Sequence, residues 1–184
     1  MPKKFAPECL DAASPWVCRF LPLIPMPGPV LDLAAGSGRH AAILVERGYH
    51  VVAVDRDTAG LRAHFAAVSA VEIREVDLED GAPWRLGGGF TGIVVTNYLH
   101  RPLFPALVQA LAPGGVLIYE TFMAGNERFG RPSNPDFLLR PGELLQAFAA
   151  LTVVAFEQGQ LSDPRLAMVQ RLAGAKGGPT RLPA

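Results

Sequence analysis

Short apolar segments alternate with helical ones along this chain, and no other feature limits its fold more strongly. Five such segments are predicted strands, at residues 30–33, 50–54, 71–76, 92–96 and 116–121. Largely apolar strands separated by helices are typical of a mainly parallel sheet that is covered on both faces. Residues 151–158 and 165–173 are joined by a link too short for a crossover helix, so they predict a C-terminal antiparallel hairpin. The pattern predicts an α/β fold with a mostly parallel, seven-stranded sheet.

The length and composition predict one domain. The chain has 184 residues, of which 49% are hydrophobic and 18% charged, and this composition excludes a disordered chain. We expect a helical N-terminal arm at residues 1–29, the main domain at 30–173 and a flexible tail at 174–184. Ser14 followed by Pro15 predicts the N-cap and the first position of a helix in the arm.

Charge and cysteine usage exclude several classes of partner. Basic and acidic residues number 17 each, so no net field attracts nucleic acid or an anionic membrane. No apolar run approaches the roughly 20 residues of a membrane span, and Glu8, Asp11 and Arg19 interrupt the apolar region that a signal peptide needs. Cys9 and Cys18 predict free thiols in a reducing compartment, and no zinc-site spacing is present. We therefore expect a soluble, cytoplasmic protein without a metal, acting on a small molecule, and a homodimer is left open.

The segment VLDLAAGSGRHA, residues 30–41, runs from the first strand through a glycine turn into a helix. Gly36 and Gly38 permit a narrow turn and let a ligand approach the backbone and the helix N-terminus. Dinucleotide-binding loops accept the same spacing. Asp32 favours a different ligand, because its carboxylate would repel a pyrophosphate but can pair with the ammonium group of S-adenosylmethionine.

Five motifs in order carry a family resemblance. DLAAGSGRH, VVAVDRD, EVDLED, IVVTNYLH and LAPGGVLIYETF resemble the successive motifs of class I S-adenosylmethionine-dependent methyltransferases. The match covers residues 30–121, and GSGRH at 36–40 further resembles the small methyltransferases of the tellurite-resistance type. The resemblance implies a Rossmann-like, doubly wound fold, S-adenosylmethionine as cofactor and S-adenosylhomocysteine as product. Ala34 departs from the family, in which many members have glycine. Since alanine takes a positive φ only at a cost, we expect a slightly looser turn.

The resemblance also implies where the cofactor lies. Asp32, Gly36 and Gly38 are expected at the methionine end, Asp55 at the ribose and Asp77 at the adenine. The predicted cofactor-binding set is completed by Ala34, Ser37, His40, Arg56, Leu78 and Asn97. Asp55 as a helix cap and Asp77 as part of a solvated acidic face are the alternative interpretations.

The segment NYLHR after the fourth strand holds the predicted catalytic residues, His100 and Tyr98. An imidazole titrates near neutrality, so His100 suits a general base if the acceptor must lose a proton. A structural histidine at a helix start is the alternative. The segment is not the Asn-Pro-Pro-Tyr pattern, which counts against methylation of DNA adenine or of glutamine.

Residues 122–140 follow the fifth strand and are predicted to lie over the mouth of the active site. The predicted acceptor contacts are Arg101, Tyr119, Asn126, Arg128, Phe129 and Arg131, and Phe137 is a further predicted lid or acceptor contact. Three arginines in this set predict an anionic acceptor. A purely structural loop is the alternative.

Together these features predict an S-adenosylmethionine-dependent methyltransferase that acts on a small molecule. Three other functions stay open at this point: a catalytically silent S-adenosylmethionine-binding protein, an RNA or protein methyltransferase, and an NAD(P)-dependent oxidoreductase that uses the same glycine loop.

Overall fold

The apolar segments form one seven-stranded sheet in the computed structural model, which describes residues 12–163 and 165–177. The strands are β1 (Pro29–Leu33), β2 (His50–Asp55), β3 (Val71–Glu75), β4 (Phe90–Thr96), β5 (Leu111–Phe122), β6 (Thr152–Leu161) and β7 (Ala167–Ala175). The helices are α1 (Pro15–Phe20), α2 (Arg39–Glu46), α3 (Ala59–Phe65), α4 (Phe104–Ala110) and α5 (Glu143–Ala147).

The sheet has the strand order β3-β2-β1-β4-β5-β7-β6. Strands β1 to β5 are parallel, β7 is antiparallel to β5, and β6 is antiparallel to β7. This confirms the predicted fold class and the terminal hairpin. The strand order reverses between β1 and β4, and the carboxyl ends of strands at such a point form the ligand-binding crevice of open α/β sheets.

Both faces of the sheet are covered, and alternate residues of β1 belong to different layers. Leu31 and Leu33 pack in one core cluster with residues of α4 and α5, whereas Val30 packs in another with residues of α1 and α2. Asp32 therefore shares the face of Val30 and lies on the side of the sheet that α2 covers.

The N-terminal helix begins as predicted. The Ser14 side chain accepts a hydrogen bond from the backbone N–H of Trp16, and Pro15 is the first helical residue. Trp16 and Phe20 are buried against the sheet, so the described part of the arm is integral to the core. Helix α1 ends at Phe20 and is followed by a 3₁₀ turn over Leu21–Leu23.

Strands β6 and β7 are shifted from their predicted ranges of 151–158 and 165–173, and two helical segments have bounds set by their local sequence. The segment Arg101–Leu103 is 3₁₀-helical before α4, and α5 covers only Glu143–Ala147 because Gly142, with φ of +71°, sets its start. Strand β7 continues to Ala175, past the predicted end of the domain. Residues 178–184 of the predicted tail and Cys9 lie outside the described residues. Among the described helices, none has the length and hydropathy needed to cross a membrane.

Candidate active site

A cavity of about 420 Å³ opens at the carboxyl ends of the parallel strands. Its walls come from the ends of β1 to β5 and from the segment after β5. The lining residues are Ala34, Asp55, Arg56, Val76, Asp77, Leu78, Glu79, Asn97, Tyr98, Leu99, Thr121, Phe122, Pro132 and Phe137. Its position at the reversal of strand order is the one expected for a ligand site in this fold.

The glycine turn after β1 is tight. Gly36 and Gly38 have φ of +56° and +91°, and a Cβ at Gly38 would lie 2.9 Å from Cδ2 of Leu61. Ala34 also has a positive φ, +54°. The alanine thus adopts the left-handed conformation that glycine favours, and the backbone bears the cost.

Asp55 connects the end of β2 to the glycine turn. Its Oδ2 accepts a hydrogen bond of 2.7 Å from the backbone N–H of Gly36, and its Oδ1 accepts one of 3.0 Å from Asp57. The side chain that bonds to the start of α3 is instead Asp57, which accepts from the N–H of Ala59 at 3.0 Å. Asp55 is thus held in place by two backbone donors and faces the cavity, rather than capping the helix.

The far side of the cavity is acidic. Asp77 and Glu79 follow β3, and the N–H of Glu79 donates to Oδ1 of Asp77 at 2.9 Å. Arg56 is the cation among the lining residues. Within the described residues, no three His, Cys, Asp or Glu side chains lie together so as to hold a metal ion.

Asp32 lies behind the glycine turn and does not line the cavity. It is 1% exposed, and its Oδ2 has no hydrogen-bond partner among the described residues. Burial raises its pKa to about 7, and the Asp55 carboxylate acts in the same direction, while the backbone N–H of Ala41 and the charge of Arg39 oppose this. The Asp32 carboxyl is therefore a polar group without a full set of partners directly beneath the turn.

His40 joins three elements and does not reach the cavity. Its Nε2 accepts from the backbone N–H of Ser14 at 3.2 Å, and its Nδ1 lies 3.3 Å from Oγ1 of Thr96. Because Nε2 is an acceptor, the neutral ring carries its proton on Nδ1 and donates it to Thr96. Burial, with the charge of Arg39, lowers the pKa of His40 to about 3. The arrangement corrects the predicted cofactor contact, because both ring nitrogens are used within the protein.

The residues after β4 divide between cavity and core. Asn97 has φ of +54° and lines the cavity, as does Tyr98. The Tyr98 hydroxyl is buried and faces Glu79 without the geometry of an ordinary hydrogen bond. Burial, followed by the Glu79 carboxylate, raises the pKa of Tyr98, so its phenol stays protonated and is unsuited to act as a base. His100 is half-buried and does not line the cavity.

Three predicted acceptor contacts are structural. Arg101 donates to both carboxylate oxygens of Glu143, at 2.6 and 3.1 Å, and to the carbonyl oxygens of Asp136 and Leu138 at 2.7 and 2.9 Å. Asn126 is buried, donates to the carbonyl of Pro132 at 3.0 Å and accepts from the N–H of Met168 at 3.1 Å.

The third is Tyr119, which is 1% exposed and packs against the rings of Phe104 and Phe148. Its hydroxyl donates to the carbonyl of Tyr98 at 2.9 Å. These partners correct the prediction that the three residues contact an acceptor.

The remaining predicted contacts lie outside the cavity. Arg128 is exposed, donates to the carbonyl of Gly125 at 3.3 Å, and its guanidinium lies 5.8 Å from the centre of the Phe129 ring. Arg131 is exposed, and Ser37 is an exposed residue of the turn. The structure does not bring the three predicted arginines together around a shared site.

Several lining residues were missed by the sequence reasoning. They are Val76, Glu79, Leu99, Thr121, Phe122 and Pro132, whereas Phe137 was among the predicted lid and acceptor contacts. Val76, Thr121 and Phe122 directly follow or end a parallel strand, and this position was the available signal. Pro132 and Phe137 belong to the segment after β5, which therefore contributes to the cavity through apolar residues rather than through its arginines.

Comparisons with known proteins find similarity to methyltransferases. No family model matches the chain. The trans-aconitate 2-methyltransferase of Azoarcus sp. (strain BH72) is 37% identical over 156 residues, which are 83% of this chain and 59% of that protein. The protein-L-isoaspartate O-methyltransferase of Chlorobaculum tepidum is 40% identical over 94 residues, 50% of this chain and 43% of that protein. The chain thus spans less than two thirds of the length of these relatives.

The fold of this chain is also similar to that of a solved structure. The crystal structure of TehB from Haemophilus influenzae superposes with a TM-score of 0.70 at 16% identity, over 88% of this chain and 61% of that one. These similarities confirm the resemblance to methyltransferases that the sequence motifs indicated.

Proposed function

Because this chain resembles class I S-adenosylmethionine-dependent methyltransferases in sequence and in fold, we propose that it binds S-adenosylmethionine and transfers its methyl group to a small molecule. One observation carries the proposal most directly: the N–H of Gly36 in the glycine turn already donates to Asp55 at 2.7 Å. A pyrophosphate would use the amide groups of this turn and would lie beside the Asp55 carboxylate. S-adenosylmethionine has no phosphate and leaves this hydrogen bond in place.

The residues present suit the chemical groups of this cofactor. Oδ2 of Asp32 is buried without a partner. Because Asp32 does not line the cavity, we assign it a pairing with the ammonium group through water rather than by direct contact. The oxygens of Asp55 each accept one backbone hydrogen bond and keep a lone pair for ribose hydroxyls. Asp77, exposed and on the cavity wall, is a suitable acceptor for the exocyclic amine of adenine.

Methyl transfer from a sulfonium requires mainly that the protein position the donor and the acceptor in line. When bound, S-adenosylmethionine supplies a sulfonium methyl carbon, to which the acceptor atom contributes a lone pair while the electrons of the broken C–S bond stay on sulfur. Asn97 and Tyr98 stand at the end of β4, between the two sides of the cavity, and hold the reacting groups in line. Tyr98 remains a neutral phenol and His100 does not line the cavity, so neither is assigned the role of a general base.

The first test is direct binding. Calorimetry with S-adenosylmethionine, S-adenosylhomocysteine and NAD is expected to give binding for the first two and none for NAD. Asp55→Ala should weaken binding of S-adenosylhomocysteine by at least about tenfold, since it removes the ribose acceptor. Asp57→Ala is the matched control: the same substitution two residues away, at a side chain that does not line the cavity. Binding of NAD, or equal affinity in the two variants, would contradict the proposal.

A further inference from the structure

The wall of the cavity consists of a charged half and an uncharged half. The charged half follows β2 and β3 and contains Asp55, Arg56, Asp77 and Glu79. The uncharged half, which we term the apolar wall, is made of Leu99, Thr121, Phe122, Pro132 and Phe137. The strand order separates the halves, because β2 and β3 lie on one side of β1 whereas β4 and β5 lie on the other. If the charged half holds the cofactor, as proposed above, the apolar wall is what remains for the acceptor.

No arginine in the described part of the chain lines the cavity on the side of the apolar wall: the guanidinium of Arg165 lies 5.4 Å from the centre of the Phe122 ring, but Arg165 is exposed and is not a lining residue. The guanidinium of Arg101 is committed to Glu143 and to two backbone carbonyls. Arg128 and Arg131 are exposed and do not line the cavity. An anionic acceptor placed against this wall would lose hydration without gaining an ionic partner among the residues that line it, and such burial is costly.

The wall instead offers an open aromatic surface. Phe137 is 48% exposed, whereas Phe122 and Leu99 are each 7% exposed. The position of Phe137 is fixed by its neighbours: the Asn134 side chain accepts from the N–H of Asp136 at 3.0 Å, and Leu138 is buried. An aromatic ring held at the mouth of a cavity gains free energy when an apolar ligand covers it.

We propose that the acceptor is an uncharged compound with a flat apolar body, which packs against the apolar wall and covers Phe137. The proposal rests on the proposed function for the location of the cofactor. It replaces the anionic acceptor predicted from the three arginines. It also separates this chain from its relative that is named for methylating trans-aconitate.

The test uses pairs of ligands that differ in one charge. The pairs are 4-methylphenol with 4-hydroxybenzoate, and 4-methylaniline with 4-aminobenzoate. Affinity is measured by calorimetry on the protein saturated with S-adenosylhomocysteine, so that no turnover is needed. Binding of S-adenosylhomocysteine alone is measured first, and its absence would overturn the proposed function rather than the acceptor class.

We expect each methyl compound to bind at least about tenfold more tightly than its carboxylate partner. Equal affinities, tighter binding of the carboxylates, no binding by any of the four compounds, or methylation of trans-aconitate would each overturn the inference.

Two substitutions of Phe137 test whether the apolar wall causes the preference for the uncharged compounds. Phe137→Ala should weaken binding of the methyl compounds about fivefold, because it removes the exposed ring surface. Phe137→Arg should bring the affinities of each pair together or reverse their order, because it adds a cation at the mouth of the cavity. Val153→Arg is the matched control, since it adds the same charge at a 39% exposed position on β6 that does not line the cavity. If this control changes the preference as much as Phe137→Arg does, the apolar wall does not select the acceptor.

Discussion

Arg101 and Glu143 form a two-point ion pair, with Nε and Nη2 of the arginine donating to the two carboxylate oxygens at 2.6 and 3.1 Å. The pair ties the 3₁₀ turn after β4 to the first residue of α5. Two parallel hydrogen bonds between charged groups give both strength and a fixed geometry. Arg101 therefore connects two segments of the chain and is not free to bind an acceptor.

Arg101→Gln should lower the free energy of unfolding by about 2 kcal/mol, because it leaves Glu143 and two carbonyl oxygens without their donor. Urea denaturation measures this loss. Arg128→Gln, at an exposed arginine, should change stability by less than about 0.5 kcal/mol. If Arg101→Gln keeps full stability but loses affinity for acceptors, then the structural role is wrong.

The second prediction concerns Asp32, whose raised pKa makes stability depend on pH. In the folded protein this carboxyl keeps its proton up to about pH 7, whereas in the unfolded chain it ionises near 3.8. Folding thus takes up a proton between these values, so the stability contributed by Asp32 is lost as the pH rises toward 7.

Asp32→Asn should abolish this dependence and stabilise the ligand-free protein at pH 8, by on the order of 2 to 4 kcal/mol. The same variant should weaken binding of S-adenosylmethionine, since an amide does not pair with its ammonium group. Thermal unfolding at pH 5 and pH 8, with calorimetry, measures both effects. A variant that binds the cofactor as well as the wild type would remove Asp32 from the site.

The third prediction has the opposite sign and concerns His40. The pKa of His40 is lowered from 6.5 to about 3 in the folded protein. Between these pH values the imidazole is protonated in the unfolded chain and neutral in the folded protein. The stabilisation from its two hydrogen bonds is complete above pH 6.5 and is lost as the pH falls toward 3. His40→Gln should cost about 1 to 2 kcal/mol at pH 7, and its deficit relative to the wild type should shrink steadily in urea titrations at pH 5.5 and 4.5. A deficit that does not vary with pH would contradict the buried, neutral imidazole.

The fourth prediction concerns the left-handed backbone conformation of Ala34. Because its φ is +54°, Ala34→Gly should stabilise the protein by about 0.5 to 1 kcal/mol, the relief of the left-handed conformation less the added freedom of the unfolded chain. Ala35→Gly is the control next to it: Ala35 is buried without a positive φ, and its substitution should destabilise. Denaturation curves of the two variants that shift in the same direction would contradict this difference.

The sequence alone was sufficient to predict those structural features that are determined by neighbouring residues in the chain. The strands, the glycine turn and the acids at the ends of β2 and β3 follow from apolar runs and from the residues that end them. Tyr119 was within reach of the same reasoning, since side chains alternate along β5 and Tyr119 shares the core face of Leu117.

The roles of the polar side chains were not predictable in this way, because their partners are distant in the chain. Arg101 is 42 residues from Glu143, and Asn126 is 42 residues from Met168. His40 meets Ser14 and Thr96, which belong to different elements. Whether an arginine or a histidine faces a ligand or another part of the protein depends on such contacts, and no spacing rule in one sequence encodes them.

The order of the strands has a consequence for synthesis on the ribosome. Strand β7 lies between β5 and β6, yet it is the last strand along the described part of the chain. A nascent chain that has emerged only through β6 exposes the edge of β5, and β6 has no strand beside it. Open edges of this kind pair readily with other chains. Until β7 is inserted, the open edges of β5 and β6 are therefore the part of the sheet most prone to pair with other chains.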